Sequence, residues 1–125
     1  MSEESQSRRL GTPRRLCESE MELVGLLLQK AGDTGTLLNR MSSLDVREMS
    51  DGGMGSLYFV SETRSPEQRH MGQRIAEMQF NDADGVAILA SLNVDKDGDL
   101  YELDVWKTDY TPVIRLSPNQ PESKQ

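Results

Sequence analysis

Apolar and polar positions alternate most regularly between residues 75 and 107. Ala76, Met78 and Phe80 fall on one side of the first run, with Ile75, Glu77 and Gln79 on the other. A period of two is the mark of a strand with one buried face. In the next run Val86, Ile88, Ala90, Leu92 and Val94 share a face, and Ala87, Leu89, Ser91 and Asn93 share the opposite one. Both faces are largely apolar, which predicts an interior strand over 85–94. The third run, residues 100–107, sets Tyr101, Leu103 and Val105 against Glu102, Asp104 and Trp106. Two acidic stretches containing Gly, Asn81-Asp82-Ala83-Asp84-Gly85 and Asp95-Lys96-Asp97-Gly98-Asp99, separate the runs and read as hairpin turns. The three strands, 75–81, 85–94 and 100–107, therefore run back and forth as a meander.

Upstream the period changes. Met21, Leu23, Val24, Leu27 and Leu28 form the stripe of an amphipathic helix over 18–31, opened by Glu18 or Ser19 and stopped by Gly32. Glu18, Glu20 and Glu22 at its start and Lys30 at its end suit the helix dipole. Its apolar stripe has to be covered, and the sheet is the available surface. Asp33 or Thr34 can cap a short helical turn carrying Leu37 and Leu38. Residues 44–62 read as a hairpin whose turn is Asp51-Gly52-Gly53-Met54-Gly55, because glycines supply the positive φ that tight turns need. Asp109-Tyr110-Thr111-Pro112 breaks the last strand, and 113–116 adds a short strand or a packed extended segment. The predicted fold is α+β: an antiparallel β-meander of four to six strands with one main N-terminal helix packed on one face. Residues 1–16 are expected to form a flexible N-terminal arm, 17–117 a single domain, and 118–125 a disordered tail.

Composition adds bounds. A chain of 125 residues can bury one core without staples. Only 35% of its residues are apolar, so that core is modest. The formal charge of −7 and the isoelectric point near 4.7 argue against nucleic acid as a partner, since phosphate binding needs clustered Lys and Arg. The single cysteine, Cys17, cannot form an intrachain disulfide, and no apolar run reaches the ~20 residues of a membrane span. These features predict a cytoplasmic protein with no membrane partner.

Candidate chemistry is sparse. The glycine cluster at 51–55 lacks a G-x-G-x-x-G pattern or a following Lys-Ser/Thr, and a strand rather than a helix follows it, so it reads as a turn. The lone His70 has no partners for a metal site. Asn93, Asp95, Asp97, Gly98, Asp99 and Asp104 fall at positions one, three, five, six, seven and twelve of a calcium-loop spacing. Helices should flank such a loop, but strands are predicted on both sides. Asp104 would then lie ~20 Å down its strand from the turn, at about 3.3 Å per residue. Asp95, Asp97 and Asp99 remain a weak metal candidate. Between residues 82 and 109 eight acids face two lysines, a net of −6. Trp106 stands in that segment beside Glu102 and Asp104, with Asp109 close by. An acidic stripe with one aromatic anchor suits a basic protein surface.

The segments Asp51-Gly52-Gly53-Met54-Gly55-Ser56-Leu57 and Glu102-Leu103-Asp104-Val105-Trp106-Lys107-Thr108-Asp109, with Pro112 and Arg115 after them and Arg14-Arg15-Leu16 before the helix, resemble a small bacterial family of uncharacterised proteins. The resemblance spans most of 14–115 and implies no activity. The sequence as a whole reads as a non-enzymatic, acidic protein-binding module without a cofactor, using Trp106, Glu102, Asp104 and Asp109. By size and charge it is analogous to an immunity-type inhibitor of a basic toxin. The alternative is a small-molecule or metal-binding domain using the turn at Asp51 to Gly55 or the one at Asp95 to Asp99. A homo-oligomer paired through the sheet edge is a third expectation.

Overall fold

In the computed structural model, which describes residues 10–118, a six-stranded antiparallel sheet carries one main helix. The strands are β1 (Arg14–Arg15), β2 (Asp45–Glu48), β3 (Leu57–Phe59), β4 (Met71–Asn81), β5 (Ala87–Asp95) and β6 (Leu100–Lys107). The helices are α1 (Glu18–Lys30) and the single turn α2 (Leu38–Met41). A 3-10 turn, Pro66–Gln68, lies between β3 and β4.

The α+β class, the helix and the three-strand meander are as the alternation predicts. The order across the sheet is β1-β2-β3-β6-β5-β4. The first hairpin therefore docks against the last strand of the meander, and the β3–β4 connection crosses to the far edge, a Greek-key arrangement. β6 is central, while β5 is second from the edge. Along β5, residues from Ala90 onward are buried on both faces, but Ala87 and Leu89 are half-buried. Residues 113–116 form no strand. They lie extended, and Val113 N–H donates to the Gly53 carbonyl at 2.9 Å.

Register defines the two faces. Leu57, Leu103, Leu92 and Ala76 stand in one row across β3, β6, β5 and β4, and this row faces the core. α1 packs across β4 and β5 on that face, burying Leu23, Val24, Leu27 and Leu28. Each such side chain contributes about 1.5–3 kcal/mol by leaving water. The helix ends in a Schellman arrangement: Gly32 N–H reaches the Gln29 carbonyl and Asp33 N–H the Leu28 carbonyl, both at 3.0 Å. Asp33 then accepts from Gly35, Leu37 and Leu38 N–H groups and starts the next turn.

Two expectations are corrected. The arm expected over 1–16 is, from Leu10 onward, joined to the sheet; residues 1–9 of it lie outside the described residues. Arg14 and Arg15 pair with Val46 and Asp45, Leu10 bridges Met49, and Leu16 is buried. Arg47 fixes this entry by donating to the carbonyls of Gly11 and Leu10. The proposed disordered tail lies outside the described residues except for Pro118. The other correction concerns Tyr101. A register shift beside Val94 pairs Val94 with Leu100, so Leu100 joins the core while Tyr101 meets Tyr58 edge-on at 5.9 Å. Tyr101 therefore leaves the face that Leu103 and Val105 share. Among the described residues, no helix is long and apolar enough to cross a membrane.

Candidate functional site

The Asp95 to Asp99 turn is closed on itself and on arginines. Asp95 Oδ1 accepts from the N–H groups of Asp97 and Asp99, and its Oδ2 receives Arg69 Nε at 3.0 Å. Arg64 lies 2.6 Å from Asp97, 2.7 Å from Asp99 and 3.0 Å from Asp95. Arg40 takes the other oxygen of Asp99 at 3.2 Å. Asp104 stands apart, opposite Ser91 in the β5–β6 ladder. The calcium-like spacing thus belongs to a hairpin, and its carboxylates are turned to guanidinium groups. Among the described residues no three His, Cys, Asp or Glu side chains are gathered as a metal site.

Arg69 itself is buried. It donates to Tyr58 Oη at 3.0 Å, to the Phe59 carbonyl at 2.6 Å and to the Leu100 carbonyl at 2.6 Å. Its guanidinium lies 5.3 Å from the Tyr58 ring centre and 5.1 Å from that of Tyr101, which adds cation–π attraction. An adjoining cavity lined by Leu37, Leu44, Val60 and Arg40 measures about 60 Å³. That is small beside the roughly 150 Å³ that admits a benzene ring. Gly72, where β4 shifts register, closes this end of the sheet: a Cβ there would sit 2.3 Å from the Asp95 carbonyl oxygen.

The glycine-rich turn lines a wider groove of about 430 Å³ with Arg14, Glu20, Glu48 and Leu116. Its polar groups are largely engaged. Asp51 accepts from Met54 and Ser56 N–H groups, so those two amides are not available to cradle a phosphate. Arg14 forms a bidentate pair with Glu20 at 2.8 and 2.9 Å and reaches Glu48 at 3.1 Å. Gly53, at φ +84°, lets Pro112 approach to 3.0 Å of where a Cβ would be. Gly53, and Gly55 with Leu116 at 3.7 Å from where its Cβ would be, therefore lie against the C-terminal segment.

That segment is held by a second buried ion pair. Lys107 Nζ lies 2.9 Å from Asp82 and 2.7 Å from Asp84, with all but about 1% of its side chain buried. Asp82 also accepts from Ile114 N–H at 2.7 Å and Arg115 N–H at 2.8 Å. Burial pushes the Asp82 carboxyl up, but these donors and the ammonium outweigh it and hold the group at about 2. Asp95, among the Asp99 and Asp97 amides and Arg69, and Glu20, beside Arg14, are lowered in the same way against their own burial. A depressed carboxyl pKa gives stability that is complete above the unfolded value and is lost as pH falls toward the folded one. For Asp82 the window runs from 3.8 down to about 2 and corresponds to about 2 kcal/mol. Urea midpoints should therefore fall between pH 4 and pH 2, and Asp82→Asn should flatten that fall.

The acidic meander is accordingly less charged than its sequence. Asp82 and Asp84 face Lys107, while Asp95, Asp97 and Asp99 face arginines from 40, 64 and 69. Among the described residues, Asp104 and Asp109 form no ion pair with a basic side chain. Both are exposed, and Glu102 is half-buried. They flank Trp106, which is 39% exposed and lies 5.7 Å, ring to ring, from Tyr110. Tyr110 is 72% exposed and takes a φ of +65°, a left-handed conformation uncommon for a residue with a side chain. Its N–H bonds to the Lys107 carbonyl, and Asp109 braces the turn by accepting from Thr111 N–H and Oγ1. Asp104 and Trp106 thus lie on the exposed side of β6, and Asp109 is exposed in the turn that follows. Tyr110 was not foreseen, because a residue in a strand-breaking Asp-Tyr-Thr-Pro run gives no sign that its ring will stand beside Trp106.

A family described as Domain of unknown function (DUF6984) matches residues 13–117. The chain belongs to this family. Its limits include Arg14 and Arg15, which the structure puts in β1, and end beside Leu116, which packs against the core. No curated protein and no solved structure matches the chain.

Proposed function

We propose that this chain is a protein-binding module that presents Trp106 and Tyr110, flanked by Asp104, Asp109 and Glu102, to a basic protein surface. The observation that carries the reading is the exposed aromatic pair beside two exposed carboxylates, Asp104 and Asp109, that form no ion pair among the described residues. Exposed Trp and Tyr are costly to leave in water and are the side chains that most often anchor interfaces. The left-handed Tyr110 supports it further, because backbone strain of this kind persists where the surrounding structure enforces it and is concentrated at functional positions. Carboxylates at the rim would speed encounter with a basic partner and lend salt dependence to the rate. The size and acidity of the chain suit an immunity-type inhibitor of a basic toxin as the biological form.

The test is capture from native lysate with wild type and with Trp106→Ala as bait. A stoichiometric partner retained by wild type is expected to bind Trp106→Ala about 30-fold more weakly, the roughly 2 kcal/mol of an interface hot spot. The folding stability of the variant should change little, since Trp106 is more than a third exposed. Because Trp106 is the only tryptophan, its emission should also shift on binding. A partner that binds Trp106→Ala and wild type equally, with no change in emission, overturns the reading.

A further inference from the structure

β4 forms one edge of the sheet and pairs only with β5 among the described residues. Its eleven residues are not uniform. Register shifts lie between Met71 and Gln73 and between Arg74 and Ala76, so the first half of the edge is broken twice. Such irregularities blunt an edge against pairing with another strand. From Ala76 to Asn81 the ladder with β5 is regular. That half has no proline, lysine or arginine, and its only charge is Glu77. Met78 and Phe80 are half-buried on the core side, at the margin of the surface that α1 covers.

We infer that this regular half of β4 pairs antiparallel with the same strand of a second copy of the chain. Antiparallel pairing of identical edges closes under a two-fold axis perpendicular to the sheet, so one contact makes a finite dimer. An axis through Met78 keeps the ladder within 76–80, short of Asn81 where the chain turns. It sets Met78 beside the partner's Met78 and Ala76 beside the partner's Phe80, all on the helix-covered face. On the outer face Glu77 meets the partner's Gln79, so the ladder places no like charges together. The dimer would extend the sheet and cover the half-exposed apolar margin, and the Trp106 site would remain free on β6.

Sedimentation equilibrium of the full chain over a concentration series tests this. Wild type is expected to shift toward twice the mass of one chain as concentration rises. Met78→Lys puts two ammonium groups against each other at the axis and should raise the dissociation constant by at least about tenfold. Gln79 is exposed, so charge there leaves the monomer fold intact. Gln79→Glu faces the partner's Glu77 twice and should weaken the dimer, while Gln79→Lys should tighten it, each by about threefold or more. A chain that stays monomeric throughout, or a dimer that responds alike to both charges at position 79, overturns the inference.

Discussion

Arg69→Met should destabilise the protein by about 3–5 kcal/mol, the range seen when one member of a buried ion pair is removed. Arg69 is 3% exposed, and its guanidinium joins segments distant in sequence: Tyr58 and Phe59 of β3, Asp95 of β5 and Leu100 of β6. Methionine fills similar space but leaves the Phe59 and Leu100 carbonyls without this donor. It also leaves Asp95 with Arg64 as its remaining cation. Arg69→Lys separates charge from geometry. Lysine keeps the positive charge, but its ammonium cannot span the same set of acceptors in a planar fork. It should recover less than half of the loss. Urea unfolding of the three proteins by far-ultraviolet dichroism and by Trp106 fluorescence gives the comparison. A loss below about 1 kcal/mol for Arg69→Met would mean that the network is a surface feature rather than a joint of the sheet.

That network marks where sequence reasoning stops. Periodicity located β4, β5 and β6 because each residue's face is set by its immediate neighbours, as with Ile88, Ala90 and Leu92. It located α1 because Leu23, Leu27 and Leu28 fall on one side at helical spacing. It did not locate the partner of β6. Nothing local in Leu57, Tyr58 or Phe59 says that they lie beside Glu102 and Leu103 rather than at the edge of β4. The turn of Tyr101 out of its expected row depends on one extra residue in the ladder, which a strict period of two cannot show. Charge misled for a related reason. The count from 82 to 109 stands, but Arg40, Arg64 and Arg69, from outside that segment, neutralise its second turn, Asp95 to Asp99. Asp104 and Asp109, which form no ion pair among the described residues, were distinguishable from Asp95 and Asp82 only once the arginines and Lys107 were placed. Of the candidate site, alternation alone put Trp106 and Asp104 on one side of β6, and that side is the exposed one.

Lys107→Met is the other substitution with a large expected cost, again about 3–5 kcal/mol, because it leaves Asp82 buried without its cation. The pair should show its coupling in a double-mutant cycle. Asp82→Asn alone loses the ammonium contact and weakens acceptance from the Ile114 and Arg115 amides. After Lys107→Met, the second change also removes an uncompensated charge. The double variant should therefore be more stable than the sum of the single losses by about 1–3 kcal/mol. Hydrogen exchange adds a local readout. The Ile114 and Arg115 amides, which end on Asp82, should lose protection in Asp82→Asn before the β5–β6 ladder does. Lys107 is adjacent to Trp106, and its carbonyl receives the Tyr110 N–H. Loosening this joint should consequently disturb the left-handed turn and, on the proposed function, weaken partner binding in a chain that is still folded. Stability and binding that fall together in Lys107→Met, set beside Trp106→Ala in which binding falls alone, would identify the Asp82–Lys107 pair as the support of the aromatic site.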